Sequence, residues 1–186
     1  MSRWEPNAHD RLEEAALQLY TERGFDQTTV AEIADRAGLT ERTFFRYFAD
    51  KREVLFGGQA LLTELLVTAI AEAPDDARPL QAIATALAAL GPVFEGRVGH
   101  ARRRQAIIDG HPGLQERELI KLATLTTEMA EALRRRGVGD AAARLAAETG
   151  MAVFKVAFTR WITDNSGAGL AAVIASSFDE LRGLTA

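Results

Sequence analysis

The chain has 186 residues, 22 Lys or Arg against 26 Asp or Glu, a formal net charge of −4 and no cysteine. That length allows one sizeable core or two small ones, and the missing thiols exclude a disulfide scaffold, thiolate zinc fingers, cysteine nucleophiles and thiol redox sensing. An acidic total argues against a protein that coats nucleic acid through bulk positive charge.

Along the chain, Pro6 and Asn7 precede a first predicted helix in which Leu12, Ala16 and Leu19 keep to one side, and Gly24 ends it with Phe25 as the next apolar residue. Arg3 and Trp4 ahead of it form an arm of the kind that can reach a minor groove. Thr28–Lys51 then reads as two short helices joined by a glycine turn, the sequence form of a helix-turn-helix. Thr29 and Glu32 have capping-box spacing. Val30, Ile33, Ala34 and Ala37 give the first helix one apolar face, Gly38 suits a positive φ, Leu39 plugs the turn and Thr40 can cap the second helix.

In that second helix Phe44 and Phe48, four apart, predict one anchoring face. Arg42 and Arg46 form another stripe, Thr43 and Tyr47 a third, with Phe45 between. Guanidinium forks can bond guanine O6 and N7, while hydroxyls and Lys51 can hold phosphates. Arg42, Arg46, Lys51 and Arg52 against Asp50 make a local +3 on an acidic chain, which favours a docked orientation over indiscriminate coating. The plain alternative is a helical hairpin with a solvated basic edge.

The runs AALQLYTERGFDQTTVAEIADRAG and LTERTFFRYFADKREVL, about the first third of the chain, resemble the TetR-type transcriptional regulators. The resemblance implies an all-α homodimer of about nine helices, with an N-terminal three-helix helix-turn-helix DNA-binding domain over 1–52 and a C-terminal helical ligand-binding and dimerisation domain over 53–186. It assigns Thr29 to the helix start that faces the DNA backbone, Thr40 and Thr43 to the opening of the recognition helix, Glu41, Arg42 and Arg46 to base edges, and Tyr47 and Lys51 to phosphates. Phe45 stands where the family often has Tyr, leaving a ring that can touch a thymine methyl. The expected partners are double-stranded DNA carrying a palindromic operator, a small-molecule effector and a second copy of the chain, with no cofactor, no metal and no membrane.

Beyond the head, a single long helix is predicted over 52–72 from the spacing of Leu55, Leu62, Leu65, Leu66 and Ile70, and is the expected lever between the two domains. Pro74 and the DDARP that follows mark a linker; helices of about 80–93, 97–110, 113–136, 140–164 and 168–183 come after, separated by glycine-containing breaks. No run is expected to approach the ~20 apolar residues that cross a bilayer, and with no apolar leader a cytoplasmic location is expected. By the resemblance, the last two helices pair with their symmetry mates through Ala142, Ala146, Ala147, Gly150, Ala171, Ala172, Ala175 and Ser176; packing inside one subunit is the alternative. Leu122, Thr126, Met129, Phe154, Phe158 and Trp161 are the candidate ligand pocket, an aromatic stripe that equally suits a core.

Arg97, His100, Arg102, Arg103 and Arg104 form a basic cluster, and the segment after it is similar to family members associated with acyl-coenzyme A-like ligands. Such a cluster suits a ligand phosphate, or pairs with Glu116, Glu118 or Glu128. Catalysis is not expected: the three histidines are scattered and no HExxH or GxSxG occurs. The reading is a ligand-responsive regulator, a repressor released by an apolar or acyl-coenzyme A-like effector; the alternative is a helical small-molecule or lipid-binding protein without DNA-binding activity.

Overall fold

The computed structural model describes residues 8–185, so the Arg3–Trp4 arm and the Pro6–Asn7 stop lie outside the described residues. Within them the chain is all-α, with nine helices of seven residues or more, one four-residue helix and a 3-10 turn. It divides into two compact units, residues 1–57 with 103–118 and residues 58–102 with 119–186.

The first unit contains α1 (Ala8–Arg23), α2 (Val30–Arg36), α3 (Glu41–Tyr47) and the 3-10 turn Glu53–Phe56. The predicted apolar face of α1 is inside, with Leu12, Ala16 and Leu19 all at 2% exposure or less. Ile33, Phe44, Phe48 and the triplet Val54–Phe56 complete a small core around it, joined by Ile108 and Leu114 from the 103–118 segment. Gly24 and Gly38 take the left-handed φ values of +86° and +64° that end α1 and turn α2 into α3.

Two of the long predicted helices are interrupted. The 52–72 segment is not one lever but a 3-10 turn, then Gly57–Gly58, then α4 (Gln59–Ala71). Paired glycines carry the poorest helix propensity after proline, and a side chain at Gly57 would stand 3.1 Å from the Phe48 ring. The 80–93 segment divides into α5 (Pro79–Ala88) and α6 (Gly91–Phe94), with Pro92 unable to continue the α5 hydrogen-bond ladder. Then follow α7 (Val98–Asp109), α8 (Pro112–Arg135), α9 (Asp140–Thr163) and α10 (Leu170–Thr185). The break between compact units falls at Gly57, five residues beyond the boundary read from sequence, and α7 and α8 run without interruption from residues of one unit into residues of the other.

One stretch does approach bilayer length: Glu53–Ala71 has 19 residues and a mean hydropathy of 1.7. Its apolar side chains are divided between two cores, Val54, Leu55 and Phe56 in the first unit and Leu66 and Ile70 in the second.

In the second unit α5 packs against α4, α9 and α10. Its core takes in Ile83, Ala86 and Leu87 of α5 together with Ala143, Ala147 and Ala157 of α9. The small residues of α9 and α10 serve two ends. Ala146, Ala147 and Gly150 are buried within the subunit, while Ala142, Ala172, Ala175 and Ser176 are exposed. At Gly150 the approach of α5 is close enough that a Cβ would sit 2.2 Å from Ile83 Cγ2. Gly150→Ala therefore destabilises the protein despite the better helix propensity of alanine, by about 1–3 kcal/mol for an overpacked site, read as a lowered thermal midpoint; Gly99→Ala, within α7 and with open space around it, is the control.

Candidate nucleic-acid interface

Helix α2 starts with a complete capping box: the Thr29 hydroxyl accepts from the Glu32 amide at 3.2 Å and Glu32 accepts from the Thr29 amide at 2.9 Å. Arg23 adds an ion pair to Glu32 at 2.8 Å, and Arg36 in the last turn pairs with Glu22 at 3.0 Å. Helix α3 starts with a simpler cap, Thr40 Oγ1 accepting from the Thr43 amide at 3.2 Å and lying 3.0 Å from the Thr43 hydroxyl. The three threonines assigned to helix starts are thus in place, and each is already a local hydrogen-bonding partner.

Burial of Phe44 (0% exposed) and Phe48 (3%) turns the other face of α3 outward. Glu41, Arg42, Phe45, Arg46 and Tyr47 are all exposed, Phe45 by 55%. Arg46 donates to the Tyr47 hydroxyl at 3.1 Å with its guanidinium carbon 5.0 Å from the ring centre, so the two form one preassembled cation-aromatic pair. The exposed surface of one short helix therefore offers guanidinium forks, a carboxylate and two aromatic rings. This is a donor, acceptor and methyl-contact set suited to base edges in a major groove.

Lys51 is placed differently from the phosphate contact read from sequence. Its ammonium donates to the carbonyls of Phe25 and Thr28 at 2.8 Å each and of Asp26 at 3.3 Å, and sits 4.4 Å from the Phe25 ring centre. A lysine ammonium has three donors, and all three are occupied inside the head. Spacing could not reveal this, because the carbonyls lie 23 to 26 residues away.

Charge at the head is locally compensated. The backbone and side chain of Thr29, then Arg23, hold the Glu32 carboxyl below the usual carboxylate range. For Asp50, burial pushes up, but the Arg52 guanidinium and the amides of Glu53 and Arg52 outweigh it and the carboxyl is lowered. The phenol of Tyr20 is raised, by burial and then by Asp50, and donates to the Lys51 carbonyl at 2.6 Å.

The candidate pocket residues are all present in or against the second core: Met129 is fully buried, Trp161, Thr126 and Phe154 nearly so, and Leu122 and Phe158 partly. Phe94, unforeseen in the sequence, joins Phe154, Phe158 and Trp161 in one aromatic cluster with ring centres 5.7–5.9 Å apart. The basic cluster is dispersed. Arg102 donates to the carbonyls of Ile162 and Asp164 at the end of α9. Arg103 clamps Glu14 through two bonds of 2.9 Å, and Arg104 bonds Glu118 at 3.0 Å and the Leu55 carbonyl at 2.6 Å. Of the carboxylates Glu116, Glu118 and Glu128 offered as partners for this cluster, Glu118 is met by Arg104, whereas Arg103 takes Glu14. Among the described residues His9, Asp10 and Glu13 bring ligand-type atoms within 4.8 Å of one another; neighbouring groups on one helical turn, two of them partly solvated carboxylates, make no metal site by themselves.

Two outcomes follow for the head. Thr40→Ala removes the cap of α3 and costs about 0.5–2 kcal/mol, measured by denaturant unfolding. Glu32 and Asp50 have lowered folded pKa values, so their stabilisation is complete above the unfolded carboxylate range near ~4 and is lost as pH falls through the folded values. The thermal midpoint consequently falls on acidification below about pH 5, and less steeply in Glu32→Gln than in the wild type.

Residues 12–56 match the family model described as bacterial regulatory proteins, tetR family, and residues 77–185 match the model of the MftR C-terminal domain. The chain is 26% identical over 171 residues to the putative mycofactocin biosynthesis transcriptional regulator MftR of Mycobacterium tuberculosis, across 90% of this chain and 86% of that one. It is 38% identical over 90 residues to the HTH-type transcriptional regulator TcmR of Streptomyces glaucescens, a match that spans 48% of this chain and only 40% of that relative. Among solved structures, Bacillus subtilis FadR in complex with stearoyl-CoA shares the fold with a TM-score of 0.62 at 19% identity, over 92% of this chain and 96% of that one. The SmeT–triclosan complex does so with 0.63 at 18% identity, over 94% and 91%. With both the helix-turn-helix head and the larger C-terminal part matched, the chain belongs to the TetR family of bacterial transcriptional regulators, and its N-terminal head is a DNA-binding one.

Proposed function

We propose that this regulator acts as a homodimer on a palindromic operator, represses while bound, and is released by a small apolar effector. The observation that carries the DNA half of this reading is the outward face of α3, where Glu41, Arg42, Phe45, Arg46 and Tyr47 are exposed together while Phe44 and Phe48 hold the helix in place. Arg42 and Arg46 are the base-reading candidates; Thr29, Thr40, Thr43 and Tyr47 are the backbone-positioning ones. Dimerisation is supported by the exposed face of α9 and α10, where Leu145 (69%) and Val156 (56%) accompany Ala142, Ala172 and Ala175. Twofold pairing of this kind makes an inverted-repeat operator the geometric corollary.

For the effector, the aromatic cluster of Phe94, Phe154, Phe158 and Trp161 beside Leu122, Thr126 and Met129 supports an apolar ligand or acyl chain. A stearoyl-CoA and a lauroyl-CoA occupy the FadR proteins that share this fold, which makes an acyl thioester the first effector to test. Arg102, Arg103 and Arg104 each bond a partner within the chain, so a phosphate anchored by any of them has to displace that partner. Effector acts by binding the two dimer conformations unequally.

Selection of bound duplexes from a random pool at physiological salt yields an inverted repeat, and failure to enrich any motif favours the lipid-binding alternative. Arg42→Ala relaxes preference at one position per half-site and costs about 1–3 kcal/mol on the selected operator, read by competition binding. Lauroyl-CoA at micromolar concentration changes Trp161 fluorescence saturably and lowers operator affinity; a flat titration removes the acyl thioester as effector while leaving the DNA reading intact.

A further inference from the structure

Helix α2 lies between two cations that come from outside its own length, Arg11 from α1 and Lys51 from beyond α3. At its C-terminal end, the Arg11 guanidinium from α1 donates to the carbonyl of Ala37 and reaches that of Gly38 at 3.5 Å. The fit at the turn is tight, since a Cβ at Gly38 would meet Arg11 Nη2 at 2.9 Å. Before its N-terminal end, Lys51 gathers the carbonyls of Phe25, Asp26 and Thr28. Lys51 is itself fixed, because its own carbonyl accepts from the buried Tyr20 hydroxyl at 2.6 Å. Thr28 is fully buried, and its hydroxyl ties back to Gly24 at 2.9 Å, so the turn that Lys51 holds has little freedom. Helix carbonyl ends and turn carbonyls are the groups a cation satisfies best.

We propose that Arg11 and Lys51 form a two-point brace that sets the direction of α2, and through it the angle at which α3 meets DNA, and that Lys51 is a positioning residue and not a phosphate contact. The brace uses the two cations differently. Arg11 reaches both carbonyls of a tight turn through the single nitrogen Nη2, whereas Lys51 presents converging donors to three carbonyls on one side of an aromatic ring, a geometry a planar guanidinium does not reproduce. Loss of Lys51 leaves the outward face of α3 chemically intact but free to tilt.

The DNA arm of the test rests on the recognition reading of α3; the exchange arm does not. Lys51→Met and Lys51→Arg are compared with wild type for affinity to the selected operator and to an unrelated duplex across a salt series, below the melting temperature of each variant. The brace predicts that both variants lose about tenfold in operator-to-unrelated preference, the size of one good base contact, with the salt slope on the unrelated duplex unchanged. A phosphate contact predicts instead that Lys51→Met weakens both duplexes alike and reduces the slope by about 0.9, while Lys51→Arg keeps wild-type binding; that result overturns the proposal. A lowered melting temperature with unchanged preference also overturns it. Hydrogen exchange on the free protein adds an independent reading: in Lys51→Met the amides of residues 28–40 lose protection while those of residues 12–20 keep theirs, and unchanged protection at 28–40 refutes the brace even if wild type selects no duplex.

Discussion

Burial of Phe44 and Phe48 is the constraint on which the recognition surface depends. The two rings lie on one face of a helix only seven residues long and fill the small core of the head with Leu12 and Ile33. A helix advances about 100° per residue, so placing residues 44 and 48 inside forces 42, 45 and 46 outward. The reading face is therefore set by core packing. Phe45, a large apolar ring with more than half its surface in solvent, is tolerated there because the neighbouring Phe44 and Phe48 have already filled the interior.

The turn from Gly24 to Thr28 connects that core to the remainder of its unit. Lys51 holds its carbonyls from one direction, and residues from the 103–118 segment meet its side chains from another. His111 packs against the Phe25 ring with centres 4.9 Å apart, and its Nε2 lies 3.1 Å from the Asp26 carboxylate. Its Nδ1 accepts from the Leu114 amide at 3.3 Å, on the opposite side of the ring from the nitrogen that faces Asp26. A single imidazole thus caps α8 and touches the turn ahead of α2. Arg103 with Glu14 and Arg117 with Glu53 strengthen the same association, and Ile108 and Leu114 enter the core outright. The head is completed by residues 103–118, the last part of α7 and the first part of α8.

Arginine use in the rest of the chain follows one physical pattern. Arg102 takes carbonyls at the end of α9, and Arg136 takes those of Ile70, Ala71, Ala73 and Pro74 at the end of α4. Unpaired carbonyls at a helix C-terminus carry partial negative charge and need donors, and a guanidinium supplies several in one plane. A cluster such as RVGHARRR is consequently ambiguous as a string. Its arginines point to separate partners once α7 is wound, because adjacent residues leave a helix about 100° apart.

The fold class, the helix-turn-helix and the outward stripe of α3 were legible because each rests on short-range physics. Capping boxes span three residues, helical faces repeat every three or four, and glycine marks the positive φ of a turn. The helix breaks at Gly57–Gly58 and before Pro92 carry short-range signals of the same kind, but the apolar spacing of each segment predicted an unbroken helix. Other features were settled only by tertiary structure: the three carbonyls that occupy Lys51, the grip of Arg11 on the Ala37–Gly38 turn, the dispersal of the arginine cluster, and the entry of Ile108 and Leu114 into the head. Each joins residues far apart in the chain, and a side chain of given type carries no local mark of which distant carbonyl, carboxylate or cavity it will meet. Sequence by itself determined what the recognition helix presents; the tertiary structure decided what holds that helix in place.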